Sequence, residues 1–261
     1  MVPSDLIIAV IRNPPMFDRL AALGRFGLFL LRILAAIRPN GPQWRDTIRQ
    51  IYVIGARSVP IIAVGGAFVG LVMTLQGYRT LVTFGAGNAL GTMLSLTVFR
   101  ELGPVLTAIL FCGRAGSSMA AELGLMRATD QITSLSMMAI DPVGKVVVPR
   151  FVATFLSVPL LTAVFICFSI VAGWIQAVYL LGVDPGYFWA SLQSSVDLSQ
   201  DFGQAFVKAT VFGLFCGLIS TFVGYHARPT PEGTSVATTQ AVVFGSLMVL
   251  FLDFLLSATL Y

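Results

Sequence analysis

Four ionisable side chains lie inside long apolar stretches of the sequence, where a charge is expensive. They are Arg100, Glu101, Lys208 and Asp253. In a bilayer, such groups usually face the interior of a helix bundle or a water-filled cavity, and they often mark the path of a substrate or ion. Two interpretations are open: a polar binding site within a membrane, or ion pairs that only hold helices together.

The predicted depths of these four residues differ. Lys208 lies about seven residues after the start of its stretch, and Asp253 lies about seven residues before the end of its own. Consecutive spans run in opposite directions, so both residues lie about 10 Å below the same membrane surface at the helical rise, and their side chains can pair. Arg100 and Glu101 lie nearer the middle of their stretch. Because consecutive helical residues point about 100° apart, at most one of these two faces straight into a cavity.

Pro104 follows Arg100 by one helical turn. Proline has no N–H group, so it cannot donate a hydrogen bond to the carbonyl oxygen of Arg100. Inside a membrane, a carbonyl group freed in this way needs a side chain, a ligand or water as its partner. The sequence therefore predicts a polar partner at this carbonyl.

The composition is typical of an integral membrane protein. Of the 261 residues, 56% are hydrophobic and 11% are charged, whereas soluble domains carry about 25% charged residues. The three cysteines have no metal-ligand or disulfide spacing and His226 is the single histidine, so no metal site is indicated. The net charge of +4 does not indicate a nucleic-acid partner, because in a membrane protein the distribution of charge matters more than its total.

The sequence carries no familiar catalytic motif. The stretch GRAGSS at Gly113–Ser118 superficially resembles a phosphate-binding loop. It lacks the GxxxxGKS/T spacing, however, and it follows an apolar stretch rather than a strand. Paired carboxylates and the HExxH and GxSxG motifs are also missing. We therefore expect a chain that is not an enzyme and does not itself hydrolyse ATP.

The apolar stretches predict an all-α integral membrane protein with a single domain over residues 1–261. The predicted segments are an N-terminal interfacial amphipathic helix at 1–40, five membrane spans at 48–77, 89–112, 150–181, 202–225 and 240–260, and a cytoplasmic segment at 113–149. Two GxxxG pairs, Gly66 with Gly70 and Gly213 with Gly217, lie within spans. Small residues at this spacing allow neighbouring helices to approach closely.

The N-terminal helix is predicted to lie in the membrane interface. Its arginines recur every six or seven residues and so occupy one broad helical stripe; they are Arg12, Arg19, Arg25, Arg32 and Arg38. A transmembrane placement would bury Arg25 or Arg32 near the bilayer centre, at about 2.5 kcal/mol or more each. An interfacial helix keeps every arginine among the headgroups.

Basic residues predict the orientation, because they concentrate in cytoplasmic segments. One side of the predicted membrane receives Arg12, Arg19, Arg25, Arg32, Arg38, Arg45, Arg49, Arg57, Arg114, Arg127, Lys145, Arg150 and Arg228. The opposite side receives Arg79 alone. We therefore expect the N-terminus and the segment 113–149 in the cytoplasm. With five spans, the C-terminus is then expected on the opposite side, outside the cytoplasm.

The segment 120–132 is helical by propensity and mixes charged with apolar side chains. Its candidate contact residues are Glu122, Met126, Arg127, Asp130 and Gln131. One interpretation is a solvated loop helix. The other is a docking helix that inserts into a groove of a soluble partner on the cytoplasmic side.

A series of motifs crosses this region: RELGP, GRAGS, AELG, MRATDQI and DP, in this order over some forty residues. The series resembles the MlaE-type permeases, the membrane subunits of ABC transporters that move phospholipid across the envelope of Gram-negative bacteria; plastid lipid permeases share it. The resemblance extends from Leu75–Tyr78 to Leu252–Phe254, whereas the N-terminal fifty residues match only in character.

The resemblance implies partners and a location. It implies a homodimer in the bacterial inner membrane with an outward-open lipid cavity, a cytoplasmic ABC ATPase dimer that binds ATP and Mg, a STAS-domain protein and a periplasmic MCE-domain hexamer. Such a complex maintains the lipid asymmetry of the outer membrane. No cofactor is implied for this chain itself.

The resemblance also implies roles for particular residues. The expected lipid-binding residues are Leu75, Tyr78, Arg100, Glu101, Leu102, Lys208 and Asp253. The ATPase would dock on a coupling helix at about 116–135, which includes the five contact residues named above. Asp130 departs from the family pattern, which usually has Glu there, and this changes only the reach of the carboxylate.

Two other function classes stay open on the sequence. The first is a secondary transporter coupled to ions through Glu101 or Asp253. Such transporters often carry inverted repeats, and none is evident among the five predicted spans. The second is a structural anchor that only holds the MCE assembly. Transport driven by ATP would separate the first class from a permease, and loss of lipid transfer in an intact complex would exclude the second.

Overall fold

The computed structural model describes residues 15–37, 43–197 and 200–260, and within these ranges the chain is helical with no strand. The helices, in chain order, are α1 Pro15–Ala36, α2 Gln43–Gln50, α3 Val59–Thr83, α4 Leu90–Thr97, α5 Gly103–Phe111, α6 Ser117–Ala128, α7 Gln131–Met137, α8 Val148–Tyr179, α9 Pro185–Ser195, α10 Gln200–Tyr225 and α11 Pro231–Leu260. The predicted all-α fold is confirmed.

Wide π-helical turns join several of these helices without breaking them. The turns are Ile51–Gly55, Val98–Leu102, Cys112–Gly116 and Val143–Val147, and a short 3₁₀ turn follows at Ala56–Ser58. The resulting continuous helices include one of 42 residues. A π turn is rare and often marks a functional position in a helix.

Within the described ranges, five of the continuous helices are long and apolar enough to cross a membrane, as the sequence predicts. They are Trp44–Thr83, Gly87–Ala128, Val143–Tyr179, Gln200–Tyr225 and Pro231–Thr259. The second is longer than its predicted span, since Gly113 and Gly116 do not end it. Glycine costs only about 1 kcal/mol in a helix interior. A Cβ atom at Gly116 would lie 2.8 Å from the Ser220 hydroxyl, so this glycine provides close packing.

Helix α8 packs between α3 and α10, and both GxxxG pairs face it. An added Cβ atom at Gly66 would lie 2.7 Å from the Phe165 carbonyl oxygen, and one at Gly70 would collide with the backbone of Ser169. On α10, Gly213 and Gly217 approach the α8 side chains of Val158 and Thr154, respectively. Small residues thus allow three of the long helices to pack closely.

Helix α1 packs against the end of α10 through aromatic side chains. Phe29 and Ile33 are buried. The rings of Phe26 and Phe29 lie 5.3 and 5.4 Å from the ring of Phe222. Residues 1–14 and 38–42 of the predicted N-terminal region, with Arg12 and Arg38, lie outside the described residues. The interfacial position of α1 stays a prediction.

Helix α9 is attached to α4. It begins after Asp184, whose carboxylate accepts a hydrogen bond from the Tyr187 N–H at 3.0 Å. The Thr92 hydroxyl on α4 donates to the Ser191 carbonyl oxygen at 3.1 Å. The chain then leads from α9 into the first turn of α10, next to the polar residues described below.

Candidate functional site

Lys208, on α10, is the centre of a polar cluster within the bundle. Its side chain is fully buried. Its ammonium group donates to the Arg100 carbonyl oxygen at 2.8 Å, the Ser257 hydroxyl at 2.8 Å, Glu101 Oε1 at 3.3 Å and Asp253 Oδ1 at 3.4 Å. A buried ammonium is tolerated only when carboxylates and hydrogen-bond acceptors surround it. Lys208 therefore links α10 to the Val98–Leu102 turn and to α11.

The two carboxylates around Lys208 differ in exposure. The side chain of Glu101 is 42% exposed and that of Asp253 is 20% exposed. The Ser257 hydroxyl also lies 3.1 and 3.3 Å from the two carboxylate oxygens of Glu101. Lys208 thus forms the closed base of the cluster, and Glu101 lies at its open side.

Arg100 has a different carboxylate partner. Its Nε donates to Asp201 Oδ1 at 2.8 Å. The Asp201 side chain is 3% exposed and that of Arg100 is 39% exposed. Asp201 Oδ2 accepts a second hydrogen bond from the Asp197 N–H at 3.0 Å. The arginine at this depth is therefore compensated by a buried carboxylate from the start of α10.

The π turn Val98–Leu102 separates the two neighbouring charges. It carries both Arg100 and Glu101. The first extends to Asp201 and the second to Lys208. The two adjacent side chains thus reach different partners, and which of them faces a cavity stays a prediction.

The contact between Lys208 and Asp253 predicted from their depths is present. Lys208 also contacts the Arg100 carbonyl oxygen and the Glu101 carboxylate, since its long flexible side chain can reach groups at a different height in the bundle. The depth of each residue in the membrane stays a prediction.

The predicted apolar contacts lie nearby. Tyr78 is half-buried and packs against an apolar cluster that contains Leu90, Leu94 and Phe99, the neighbour of Arg100. Leu75 on α3 and Leu102 in the π turn are also half-buried. Their roles as acyl-chain contacts stay predictions.

Sequence reasoning missed Asp201 and Ser257. An acidic residue at the start of a helix is ordinary, since it complements the helix dipole, so Asp201 carried no functional signal. Ser257 could have been found, because it follows Asp253 by four residues and therefore shares its helix face.

Two residues of the predicted docking segment contact the bundle itself. Glu122 pairs with Arg150 at 3.1 Å. Arg127 donates to the Tyr225 carbonyl oxygen at 3.1 Å, at the end of α10. These contacts attach α6 to α8 and α10, so movement of α6 would be transmitted to the spans.

The turn after α6 is the more accessible part of the segment. Asp130 is exposed and adopts a left-handed backbone conformation with φ of 56°, and Gln131 beside it is also exposed. Met126 is half-buried. The structure therefore places the predicted contact residues on α6, in the turn after it and at the first residue of α7. Their contact with an ATPase stays a prediction.

Among the described residues, no group of three or more His, Cys, Asp or Glu side chains could hold a metal ion. The three cysteines are free thiols: Cys112 and Cys216 are buried and Cys167 is exposed.

Five long apolar helices around a buried polar cluster define a multi-pass membrane protein. The Permease MlaE family matches residues 47–259. The intermembrane phospholipid transport system permease protein MlaE of Haemophilus influenzae is 45% identical over 94% of both chains. A probable ABC transporter permease protein of Synechocystis is 36% identical over 82% of this chain and 81% of its own. The chain belongs to the MlaE permease family.

A chloroplast protein is also similar to this chain. The chloroplastic protein TRIGALACTOSYLDIACYLGLYCEROL 1 of Arabidopsis thaliana is 30% identical over 89% of this chain and 65% of its own length. The shared region therefore covers most of this chain but only about two thirds of the plant protein.

Proposed function

We propose that this chain is the membrane-spanning permease subunit of an ABC transporter that moves phospholipid between the inner membrane and a periplasmic MCE-domain carrier, and so maintains outer-membrane lipid asymmetry. Family membership supports the permease role. The observation that supports phospholipid as the substrate is a polar cluster that is accessible on one side. The side chains of Arg100 and Glu101 are 39% and 42% exposed, whereas those of their partners Asp201 and Lys208 are buried.

The cluster matches the chemistry of a phospholipid headgroup. The guanidinium group of Arg100 is planar and always charged, which suits an anionic phosphate. Glu101 offers a carboxylate for a cationic headgroup amine. Leu75, Tyr78 and Leu102 supply apolar surface for the acyl chains. Lys208 and Asp253 form the base that holds Glu101 in position.

Family membership and one exposed surface support the proposed partners. The outer face of α11 carries the exposed side chains Phe244, Leu247, Phe251 and Phe254, and an apolar face of this kind fits lipid or a second copy of the chain. A homodimer would bring two polar clusters to one cavity. A cytoplasmic ABC ATPase dimer with ATP and Mg, a STAS-domain protein and an MCE-domain hexamer complete the proposed complex.

In this mechanism the chain itself is not an enzyme, and the partner ATPase hydrolyses ATP. Closure of the ATPase dimer would move the two α6–α7 segments. The contact of Arg127 with Tyr225 would pass that movement to α10, which carries Lys208. The cavity would then narrow and expel lipid to the periplasmic carrier. The charge distribution supports the orientation, with the N-terminus cytoplasmic and the C-terminus periplasmic.

The test is the double variant Arg100→Ala with Asp201→Asn. Both members of the ion pair are removed together, because deleting Arg100 alone would leave a buried carboxylate without its cation. We expect less phospholipid per purified complex and less lipid-stimulated ATP hydrolysis, with the ATPase still bound. Normal lipid content in an unstable complex would instead make the cluster a structural ion-pair network.

One observation favours a second candidate, an ion-coupled secondary transporter. Two carboxylates, Glu101 and Asp253, share the single ammonium group of Lys208, an arrangement that also suits proton binding. Lipid transfer in liposomes that depends on a proton gradient and not on ATP would establish it. The remaining alternative is a structural anchor that only holds the MCE assembly. Normal lipid transfer by the Glu101→Gln variant would favour this role, because an anchor needs no contact with lipid.

A further inference from the structure

We propose that Asp201 is a positioning residue of the lipid site and sets the headgroup charge that the site prefers. This rests on the function proposed above. Both carboxylate oxygens of Asp201 are engaged: Oδ1 accepts from Arg100 Nε at 2.8 Å, and Oδ2 accepts from the Asp197 N–H at 3.0 Å.

Asp201 is the fixed member of this pair. Its side chain is short and 3% exposed, and it is held by a backbone N–H group. It also lies in the first turn of α10, where the helix dipole stabilises a negative charge. Arg100 is long and 39% exposed. The position of the guanidinium group is therefore determined by Asp201 rather than the reverse.

Asp201 also changes the charge that an arriving lipid meets. The ion pairs of the cluster join the cations Arg100 and Lys208 to the carboxylates Glu101, Asp201 and Asp253. Their formal sum is one negative charge, because three carboxylates face two cations. A phosphate therefore meets an arginine that is already compensated.

This compensation discriminates between headgroups. A zwitterionic lipid brings a phosphate for Arg100 and an amine for the carboxylates, so it adds no net charge to the site. A lipid with a neutral alcohol headgroup brings one uncompensated negative charge, which the excess carboxylate repels. Asp201 thus favours zwitterionic over anionic phospholipid.

The experiment compares the lipid bound by wild type and Asp201→Asn. Each complex is reconstituted in vesicles of equal parts phosphatidylethanolamine and phosphatidylglycerol, re-extracted, and analysed for bound lipid by mass spectrometry. We expect the ratio of bound phosphatidylglycerol to phosphatidylethanolamine to rise about fivefold in Asp201→Asn, the upper range for one part-exposed charge interaction. Asp201→Glu keeps the charge and should restore the wild-type ratio.

Two further variants complete the test. Asp201→Ser keeps an acceptor for the Asp197 N–H without the charge, and it replaces Asp201→Asn if that variant does not fold. Asp184→Asn is the control, because it removes a carboxylate at the start of α9, outside the cluster. It should leave the ratio unchanged.

The outcomes separate this inference from the proposed function. The role of Asp201 is overturned if the ratio of bound phosphatidylglycerol to phosphatidylethanolamine is unchanged or lowered in both Asp201→Asn and Asp201→Ser. The proposed function still stands in that case if the Arg100→Ala and Asp201→Asn double variant binds less total lipid. Normal total lipid in that double variant overturns the function itself. A purely structural role of Asp201 would lower yield and thermal stability without altering the headgroup ratio.

Discussion

The ammonium group of Lys208 lies 2.8 Å from the carbonyl oxygen of Arg100, 108 residues earlier in the chain. Pro104, one turn after Arg100, has no N–H group to offer that carbonyl. The lysine therefore satisfies a backbone acceptor that proline leaves available, and the polar partner predicted from Pro104 is confirmed. The same ammonium group holds two carboxylates, so one side chain satisfies both the backbone and the charges of the cluster.

Lys208→Met should destabilise the protein strongly. The substitution leaves Glu101 and Asp253 close together without their cation. Breaking a fully buried ion pair on one side costs about 3–5 kcal/mol, and the cost here is lower because solvent reaches Glu101, which is 42% exposed. Thermal unfolding of the purified complex, followed by intrinsic fluorescence, measures the loss.

The matched control removes the whole set of charges. Combining Lys208→Met with Glu101→Gln and Asp253→Asn should recover most of the stability, because no uncompensated charge is left in the membrane. If Lys208→Met alone unfolds at the wild-type temperature, the ammonium group does not hold these helices together.

Gly70→Ala should weaken the packing of α3 on α8. The added Cβ atom collides with the backbone of Ser169, which cannot rotate away, and overpacking of this kind costs about 1–3 kcal/mol. Gly113→Ala is the control, since its Cβ atom meets nothing within 4 Å. That variant should be neutral or more stable, because alanine favours helix by about 1 kcal/mol. Equal unfolding temperatures for the two variants would contradict the close approach.

Asp130→Arg should release the ATPase during purification while the permease still inserts and folds. Asp130 is exposed at the turn after α6, so reversing its charge disturbs a docking surface. Its left-handed backbone adds strain of about 1–2 kcal/mol for arginine, which is confined to this turn. Arg127→Glu should also release the ATPase, but it breaks the bond to Tyr225 as well. Asn88→Arg, at an exposed position before α4, is the control and should retain the ATPase. Full retention in Asp130→Arg would argue against docking at this turn.

The sequence was sufficient for some features and not for others. The number of spans and the pair of Lys208 with Asp253 follow from apolar length and residue counting, which are local quantities. The ion pair of Arg100 with Asp201 joins residues 101 positions apart. The packing of α9 against α4 brings the two residues together, and a local sequence pattern does not reveal such packing. Gly113 was expected to end a helix, but a π turn carries the helix through it, because packing overrides the weak preference of one glycine.

A cysteine in place of Arg25 should react with an impermeant thiol reagent only from the cytoplasmic side. Arg25 is exposed on α1, and the interfacial placement keeps it at the inner headgroups. Cys167→Ser is needed as background, because Cys167 is exposed whereas Cys112 and Cys216 are buried. Mass spectrometry of intact cells and of inverted vesicles compares the two sides.

Phe84→Cys provides the opposite reference. Phe84 is 80% exposed after α3 and should react only from the periplasmic side. Labelling of the Arg25 cysteine from outside would make α1 a span and would reverse the orientation inferred from the arginines.

The buried contact of Lys208 with α11 also has a consequence for the insertion of the protein into the membrane during synthesis. During synthesis, α10 leaves the ribosome before Asp253 and Ser257 exist, so its lysine enters the membrane with part of its coordination missing. A charge in that state is costly in lipid. Nascent chains that stop before α11 should therefore be retained near the insertion machinery or degraded, so the last helix acts as a checkpoint for completed synthesis.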